Sequence, residues 1–509
     1  MSQAVIDATD VFVSQPADKL SMQALLIIFL EEEALHDGPV VHRPPYSKWR
    51  QCLGKTRRQG VVAHLMPLAE AAKFDSELMV LYLAVFMRVN SAVNSVLDSI
   101  GSHIQAADLS SLGGDFLFEA CNILHAIKSW KTLATVAHFA LINADEINTC
   151  ARRKSLLADW YILASYKLLL PLFQRNTLTE TEQLAFAAKV EALALHLPNN
   201  GKNMLFYRAI VANLARDLDT AVSCVLDAQK AEGAVIGLFQ RLENFVSPAD
   251  LEAAPELVFK SLLKTAHHHY RHAPTGDPIL LVSTNDDYFD RYSDKLIESF
   301  AYWNPGAILH IHCAAFQPSE TVLDALEAKH GIKINYTIDR QTLLYPGMRN
   351  FGGYCAGVRY IFLPEYLATY NRIAVTDMDG LIRRPLTELW QGAPDAILLT
   401  SKFMKNEWQS ARLLWEMIAA GSFAITATPA NRAFAGYLSN YLCDQITICE
   451  AQGWKLFSTD QTGLLLAYMR CRETCDFESC DDLYTQSGDW RFGRGDAKAK
   501  LQKTKDYRK

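Results

Sequence analysis

Two short acidic constellations stand out for their chemistry. Asp377-Met378-Asp379 follows the apolar run Arg372–Thr376, and Thr284-Asn285-Asp286-Asp287-Tyr288 follows the apolar run Ile279–Ser283. Two carboxylates separated by one residue at the end of a strand can both reach a divalent cation, which then neutralises a diphosphate. The spacing alone is weak evidence. A second D-x-D, Asp217-Leu218-Asp219, lies at a polar corner between two helical patterns and serves as an internal decoy. Only the surrounding elements separate the two. Other chemistry-bearing clusters read more plainly. Four histidines fall between Ala266 and His272, ahead of Pro274, Gly276 and Pro278, and read as a polar helix end before a linker rather than a metal site. Cys471, Cys475 and Cys480 lack the paired C-x2-C spacing of a zinc site and read as free thiols.

The elements that must position these residues divide the chain in two. Residues 1–272 hold 9 of the 25 glycines and residues 273–509 the other 16. Asp115 to Asn200 contains no glycine, and its apolar residues recur at three and four, the mark of consecutive helices. Leu117–Leu141 and Leu205–Ala228 each read as helix, polar corner (Lys128-Ser129, Arg216-Asp217) and second helix. They resemble the tetratricopeptide helical hairpin, so residues 1–272 are expected to form an all-α, repeat-like domain or an irregular bundle.

Residues 273–509 alternate instead. Strand candidates at Ile279–Ser283, Ile308–Cys313, Ile332–Ile338 and Arg372–Thr376 are separated by helical patterns at Tyr292–Trp303, Thr321–Lys329 and Tyr354–Tyr370. This alternation predicts an α/β domain with a parallel sheet, whose ligands gather at the carboxyl ends of the strands. Neither G-x-G-x-x-G nor G-x-x-x-x-G-K-[ST] follows a strand, which argues against a Rossmann dehydrogenase and a P-loop enzyme.

In that setting the second half resembles the GT-A glycosyltransferases, most of all glycosyltransferase family 8. The resemblance rests on Arg359–Trp390 around the acid pair, on V-S-T-N-D-D-Y at Val282–Tyr288, on Gly421-Ser422-Phe423-Ala424-Ile425 and on Thr459-Asp460-Gln461, in order. It implies a GT-A-type, Rossmann-like mixed sheet and a retaining, metal-assisted hexosyl transfer from a nucleotide-diphosphate sugar such as a UDP-hexose to a glycan, lipid-linked or protein acceptor. It also implies residue roles: Thr284, Asn285 and Tyr288 on the donor nucleotide; Asp377 and Asp379 on Mn2+ or Mg2+, with Asp377 also near the ribose; Arg359, Asp460 and Gln461 around the donor sugar and reaction centre. Near the C-terminus the family reads W-H-x-x-G-x-x-K, with histidine as a metal ligand. Here Trp490 to Lys498 reads W-R-F-G-R-G-D-A-K, so Lys498 can be matched for the diphosphate but Arg491 takes the histidine position. Guanidinium cannot ligate a cation. Asp489 or Asp496 could substitute as an oxygen ligand, the metal could be held weakly, or Arg491 could itself supply part of the charge. That departure keeps open a second reading, a non-catalytic interaction protein with a degenerate transferase domain. A nucleotidyltransferase is a third.

Composition fits either reading. With 509 residues, 50% hydrophobic and 21% charged, the chain can order itself, and Lys+Arg 50 against Asp+Glu 56 gives a net charge of -6. That balance excludes a dedicated nucleic-acid binder. No stretch approaches the roughly 18 uncharged apolar residues of a spanning helix, and no secretory signal is visible. The expected compartment is a reducing cytoplasm, with peripheral membrane association as a variant, and the helical half could present a protein acceptor, a glycan or a protein partner for assembly, with nothing in the sequence choosing among them.

Overall fold

The computed structural model describes residues 3–14, 114–143, 151–175, 177–197, 201–231, 245–251, 266–274, 278–340, 351–401, 417–452 and 459–479, with isolated positions between 22 and 86. The chain divides into two compact units, Met1–Glu243 and Asn244–Lys509.

The described elements of the first unit are helices: α1 (Gln3–Ser14), α2 (Gly114–Ala126), α3 (Trp130–Ile142), α4 (Ala151–Gln174), α5 (Glu180–Ala192), α6 (Lys202–Leu214) and α7 (Leu218–Lys230), with a short 3-10 turn at Leu193–Leu195. The two segments that look alike in sequence share one corner. Between α2 and α3, Lys128 adopts φ 60° and Ser129 N–H donates to Leu124 O at 3.0 Å; between α6 and α7, Arg216 adopts φ 64° and Asp217 N–H donates to Ala212 O at 2.9 Å. Both corners thus end a helix with a left-handed residue that satisfies the last carbonyls, without the usual glycine. The decoy acid pair is spent here: Asp217 caps α7 by accepting from Thr220 N–H at 3.0 Å. Within α4, the window Arg153–Phe173 is long and apolar enough to cross a bilayer, by length and composition only, and most of it is buried in the protein. The sequence criterion passed over it because Asp159 and Lys167 interrupt the apolar run.

The second unit carries an eight-stranded mixed sheet. In chain order its elements are β1 (Ala266–His269), β2 (Ile279–Thr284), α8 (Asp286–Trp303), β3 (Ile308–Ala314), α9 (Glu320–His330), β4 (Lys333–Asp339), α10 (Phe351–Ile361), α11 (Leu363–Thr369), β5 (Arg372–Thr376), β6 (Ile397–Ser401), β7 (Ile418–Thr426), α12 (Pro429–Gln452), α13 (Thr459–Cys471) and β8 (Phe477–Ser479). The strand order is β1-β4-β3-β2-β5-β7-β6-β8. β4, β3, β2 and β5 run parallel, as the strand–helix alternation predicts. β2 and β3 are buried along their whole length, which explains their unbroken runs of buried residues.

Three features depart from the sequence reading. First, the sheet is mixed, as the family resemblance implies but the strand–helix alternation alone does not: β7 runs antiparallel to both β5 and β6, so β6 and β7 need no crossover helix between them. Second, the histidine segment is strand β1, antiparallel to β4, with His268 Nδ1 2.8 Å from Thr337 Oγ1. A non-local partner, invisible in the local pattern, decides its conformation. The sheet therefore begins before residue 273. Third, the helical pattern Tyr354–Tyr370 is two helices broken at Phe362, because Pro364 has no N–H to continue the first and starts the second.

The two faces of the parallel strands differ in chemistry. One packs Leu280, Val282, Leu309, Ile311, Ile334 and Ile338 into a hydrocarbon core with α8 and α9. The other presents Ser283, His310, His312, Asn335, Thr337 and Asp339, all buried. Phenols from the α10–α11 region satisfy these groups: Tyr366 OH lies 2.6 Å from His312 Nδ1, Tyr370 OH 2.9 Å from His310 Nδ1, and Tyr354 OH donates to Asp339 Oδ2. Buried polar groups need such partners, so this face fixes where α10 and α11 sit.

Candidate functional site

β2 and β5 are adjacent and parallel, so Thr284 and Asp377 emerge at neighbouring carboxyl ends of the sheet. Asp377 follows the last residue of β5, and Gly380 N–H donates to its carbonyl at 2.9 Å, closing the turn that carries Asp379. The Asp377 side chain is 51% exposed.

Arg359, near the end of α10, is 1% exposed and reaches across to this turn. Its Nη1 donates to Thr376 O at 2.7 Å, and its Nη2 to Asp377 Oδ1 at 2.6 Å and Ala420 O at 3.1 Å. The planar fork thus joins β5, the first acid and β7 in one clamp. Burial opposes the guanidinium charge, yet Asp377 first and Asp460 among lesser causes raise its pKa above the ordinary value, so the cation persists. Its Nε is buried without a hydrogen-bond partner. Tyr360 OH donates to the same Ala420 carbonyl.

β7 leaves room for the acid. A Cβ at Gly421 would lie 2.8 Å from Asp377 Oδ2, closer than such contacts occur, with Asp377 Cγ next at 3.6 Å. The oxygen not taken by Arg359 therefore occupies space that only a glycine at 421 provides. Gly380 is equally constrained, since its Cβ would meet Thr376 Oγ1 at 2.7 Å and Asp377 O at 2.9 Å.

Asp460 and Gln461 stand in the first turn of α13, with Gln461 N–H donating to Asp460 Oδ1 at 2.9 Å. The sequence left open whether Asp460 caps this helix. The bond from the following residue shows it serving the N-terminal turn while also feeling the charge of Arg359. Burial raises the Asp460 carboxyl above its usual range, Arg359 pulls it down, and Asp377 raises it further. Arg359, Asp377 and Asp460 are thus one coupled cluster drawn from α10, the β5 turn and α13.

On the β2 side, Asn285 spends its side chain as the cap of α8, accepting from Tyr288 N–H at 3.0 Å. Thr284 Oγ1 bonds to Asn285 O at 2.9 Å. Tyr288 is 41% exposed, with its ring 5.2 Å from that of Tyr292. Lys498, with Asp489, Arg491, Arg494 and Asp496, lies outside the described residues.

Asp377 and Asp379 offer hard carboxylate oxygens, the donor type that Mg2+ and Mn2+ take. Among the described residues no group of three or more His, Cys, Asp or Glu side chains could hold a metal ion, so two carboxylates are the donor set they supply.

Sequence reasoning named Arg359, Asp377 and Asp460 but missed the groups around them that belong to no motif. Tyr360 and the Ala420 carbonyl lie about sixty residues apart, and no local pattern joins them. Asp339 could have been found, because it too ends a strand; it is fully buried, with Tyr354 donating to Oδ2 and His312 Nε2 at 3.4 Å.

No family model and no curated protein matches the chain. Among solved structures it is similar to mouse xyloside xylosyltransferase 1 in its apo form, with 12% identity and a TM-score of 0.28 over 40% of this chain and 84% of that one. It is also similar to the apo structure of the bifunctional glycosyltransferase WbbM, with 12% identity and a TM-score of 0.24 over 57% of each chain. Both neighbours are glycosyltransferases. The overlap is partial, and the functional argument rests on the residues of the cluster.

Proposed function

We propose that the second unit is a nucleotide-sugar-dependent glycosyltransferase that moves a hexosyl group from a nucleotide-diphosphate donor to a glycan, lipid-linked or protein acceptor. One observation carries the reading: the first acid of the D-x-D, at a carboxyl strand end, is clamped by a buried arginine whose charge the half-buried Asp460 also feels. The resemblance of Arg359–Trp390 and Thr459–Gln461 to family 8 supports the same chemistry and a retaining outcome. Asp377 and Asp379 would hold Mn2+ or Mg2+, which supplies Lewis-acid stabilisation of the departing diphosphate. Arg359 holds Asp377 in place, Asp460 and Gln461 face the donor sugar, and Thr284 and Tyr288 flank the nucleotide, with Lys498 on the diphosphate. The reading extends to a cytoplasmic enzyme whose helical unit, repeat-like in its two hairpins, presents a protein partner or acceptor.

The test is donor hydrolysis and binding over a panel of nucleotide sugars, with and without Mn2+, comparing the full chain with Asp377→Ala and Asp379→Ala. One donor should be hydrolysed in a metal-dependent way, and each substitution should lower turnover at least a hundredfold. Absence of binding and hydrolysis for every donor defeats the enzyme reading. Binding that survives both substitutions and metal removal defeats the metal assignment alone.

A further inference from the structure

β7 reads I-A-A-G-S-F-A-I-T, with the small residues Ala419 to Ser422 ahead of Phe423. Glycine inside a strand often marks a bulge or the close approach of another group, and here it marks both. The ladder with β6 pairs Leu399 with Phe423 and the next residue, Thr400, with Ala419. Ala420, Gly421 and Ser422 therefore have no counterpart on β6. On the other side, the ladder with β5 reaches its last pair at Thr376 and Ser422. Ala420 and Gly421 thus lie outside both ladders, and side chains take over from backbone in holding them. Thr376 Oγ1 donates to Gly421 O at 3.2 Å, Arg359 Nη2 to Ala420 O at 3.1 Å, and Tyr360 OH to the same Ala420 oxygen. The three holders differ. Arg359 also bonds Asp377 Oδ1, and Thr376 immediately precedes Asp377, so both tie the bulge to the acid's own turn and would move with it. Tyr360 has a separate footing. It is fully buried, and its ring stands edge-on to that of Phe423 at 5.7 Å, where the β6 ladder resumes. Burial pushes its phenol up, so the hydroxyl keeps the proton it donates.

We propose that Tyr360 is a positioning residue for Asp377. Its bond to Ala420 O holds the bulge where the Gly421 backbone faces the Asp377 carboxylate, and so sets where Oδ2 stands. The chain of contact is short. It runs from Tyr360 OH to Ala420 O, along one peptide to Gly421, and across to Oδ2, which a Cβ on Gly421 would approach to 2.8 Å. Tyr360→Phe deletes one oxygen and keeps the ring on Phe423. Ala420 O is then left with Arg359, whose other acceptors belong to the acid and its strand end, and the bulge loses the anchor that does not move with them. The Asp377 carboxylate should leave its place beside Gly421. This placement is a property of the fold, whereas its consequence for a cation rests on the transferase reading, in which Asp377 helps to hold Mn2+.

Tyr336→Phe is the matched control, because Tyr336 is a buried phenol of the same unit whose hydroxyl donates to Glu320 on α9. Crystal structures of the full chain without metal should show Asp377 Oδ2 displaced, or in two conformers, in Tyr360→Phe and unmoved in Tyr336→Phe. Calorimetry with Mn2+ and a nucleoside diphosphate should show binding about tenfold weaker in Tyr360→Phe and unchanged in Tyr336→Phe, the size of effect that one buried hydrogen bond carries. An Asp377 side chain that keeps its place in Tyr360→Phe overturns the inference. So does an equal loss of Mn2+ binding in the two variants, which would make the Tyr360 hydroxyl a matter of stability alone. If the native chain takes up no Mn2+, the metal assignment falls, and the place of Asp377 in the metal-free structures alone decides the role of Tyr360.

Discussion

At the scale of single residues, Arg359 and Gly421 divide the work of presenting Asp377. Arg359 fixes one carboxylate oxygen and two backbone carbonyls, and Gly421 makes room for the other oxygen. The two should therefore fail in different ways when replaced. Lysine at 359 carries one ammonium and cannot span Thr376 O, Asp377 Oδ1 and Ala420 O together. Arg359→Lys should leave at least one buried carbonyl unpaired and lower unfolding free energy by about 2 kcal/mol, read from urea denaturation. Gly421→Ala should do the opposite. Its new Cβ meets only the Asp377 carboxylate within 4 Å, so the side chain is displaced while the strand survives. The urea midpoint should move by less than in Arg359→Lys, and the Mn2+-dependent nucleotide binding that the proposed function requires should weaken at least tenfold by calorimetry. Equal losses of stability in the two variants would show that Gly421 serves the sheet and not the acid.

At the scale of elements, the histidine-bearing face of the sheet holds α10 and α11, and through α10 it holds Arg359. Ser283 Oγ donates to Cys355 O at 2.5 Å, Tyr354 to Asp339, and His310 sits between Tyr370 OH and Thr337 Oγ1 at 2.9 and 2.8 Å. Burial, then the neighbouring His268 and His312, lowers the His310 pKa well below 6.5. The unfolded chain thus takes up this proton before the folded one does. Stability from His310 is complete above about pH 6.5 and is lost as pH falls through that value, by at most about 2 kcal/mol at pH 5. His310→Gln can keep a hydrogen bond without titrating, so its unfolding free energy should fall less than that of the native chain between pH 7 and 5. Parallel slopes would remove His310 from the balance.

The same elements show what a sequence can disclose. Strands β2 to β5 were legible because each is a local apolar run, and Asp377 was legible because it ends one of them. The decoy Asp217-Leu218-Asp219 was separable on the same ground, as a corner that became a cap. β1 was not legible, because its histidines are strand-like only by pairing with β4, some seventy residues on. The antiparallel β7 and the Arg359–Ala420 bond across sixty-one residues were closed to local reasoning for the same reason.

At the scale of the whole molecule, the two compact units each carry a buried group that titrates in its own window. In the helical unit, Asp159 on α4 accepts from Tyr207 OH and, at 3.4 Å, from Asn203 Nδ2, both on α6, while its Oδ2 is buried without a partner. Burial raises this carboxyl well above 3.8, against the lesser pull of Tyr207. The folded chain therefore keeps the Asp159 proton to higher pH than the unfolded chain. Its contribution is complete below about pH 3.9 and is lost as pH rises toward the folded value, opposite in sense to that of His310. Asp159→Asn retains an acceptor for Tyr207 and cannot ionise. Between pH 4 and 7 the variant should gain stability relative to the native chain, whereas His310→Gln should gain relative to it between pH 7 and 5. Asp159 bonds within Met1–Glu243 and His310 within Asn244–Lys509, and they share no partner. Scanning calorimetry should assign the two substitutions to different transitions, with their effects adding to within about 0.5 kcal/mol in the double variant. If both move one and the same transition, the two units unfold as a single cooperative body, and the assignment of each window to its own unit fails.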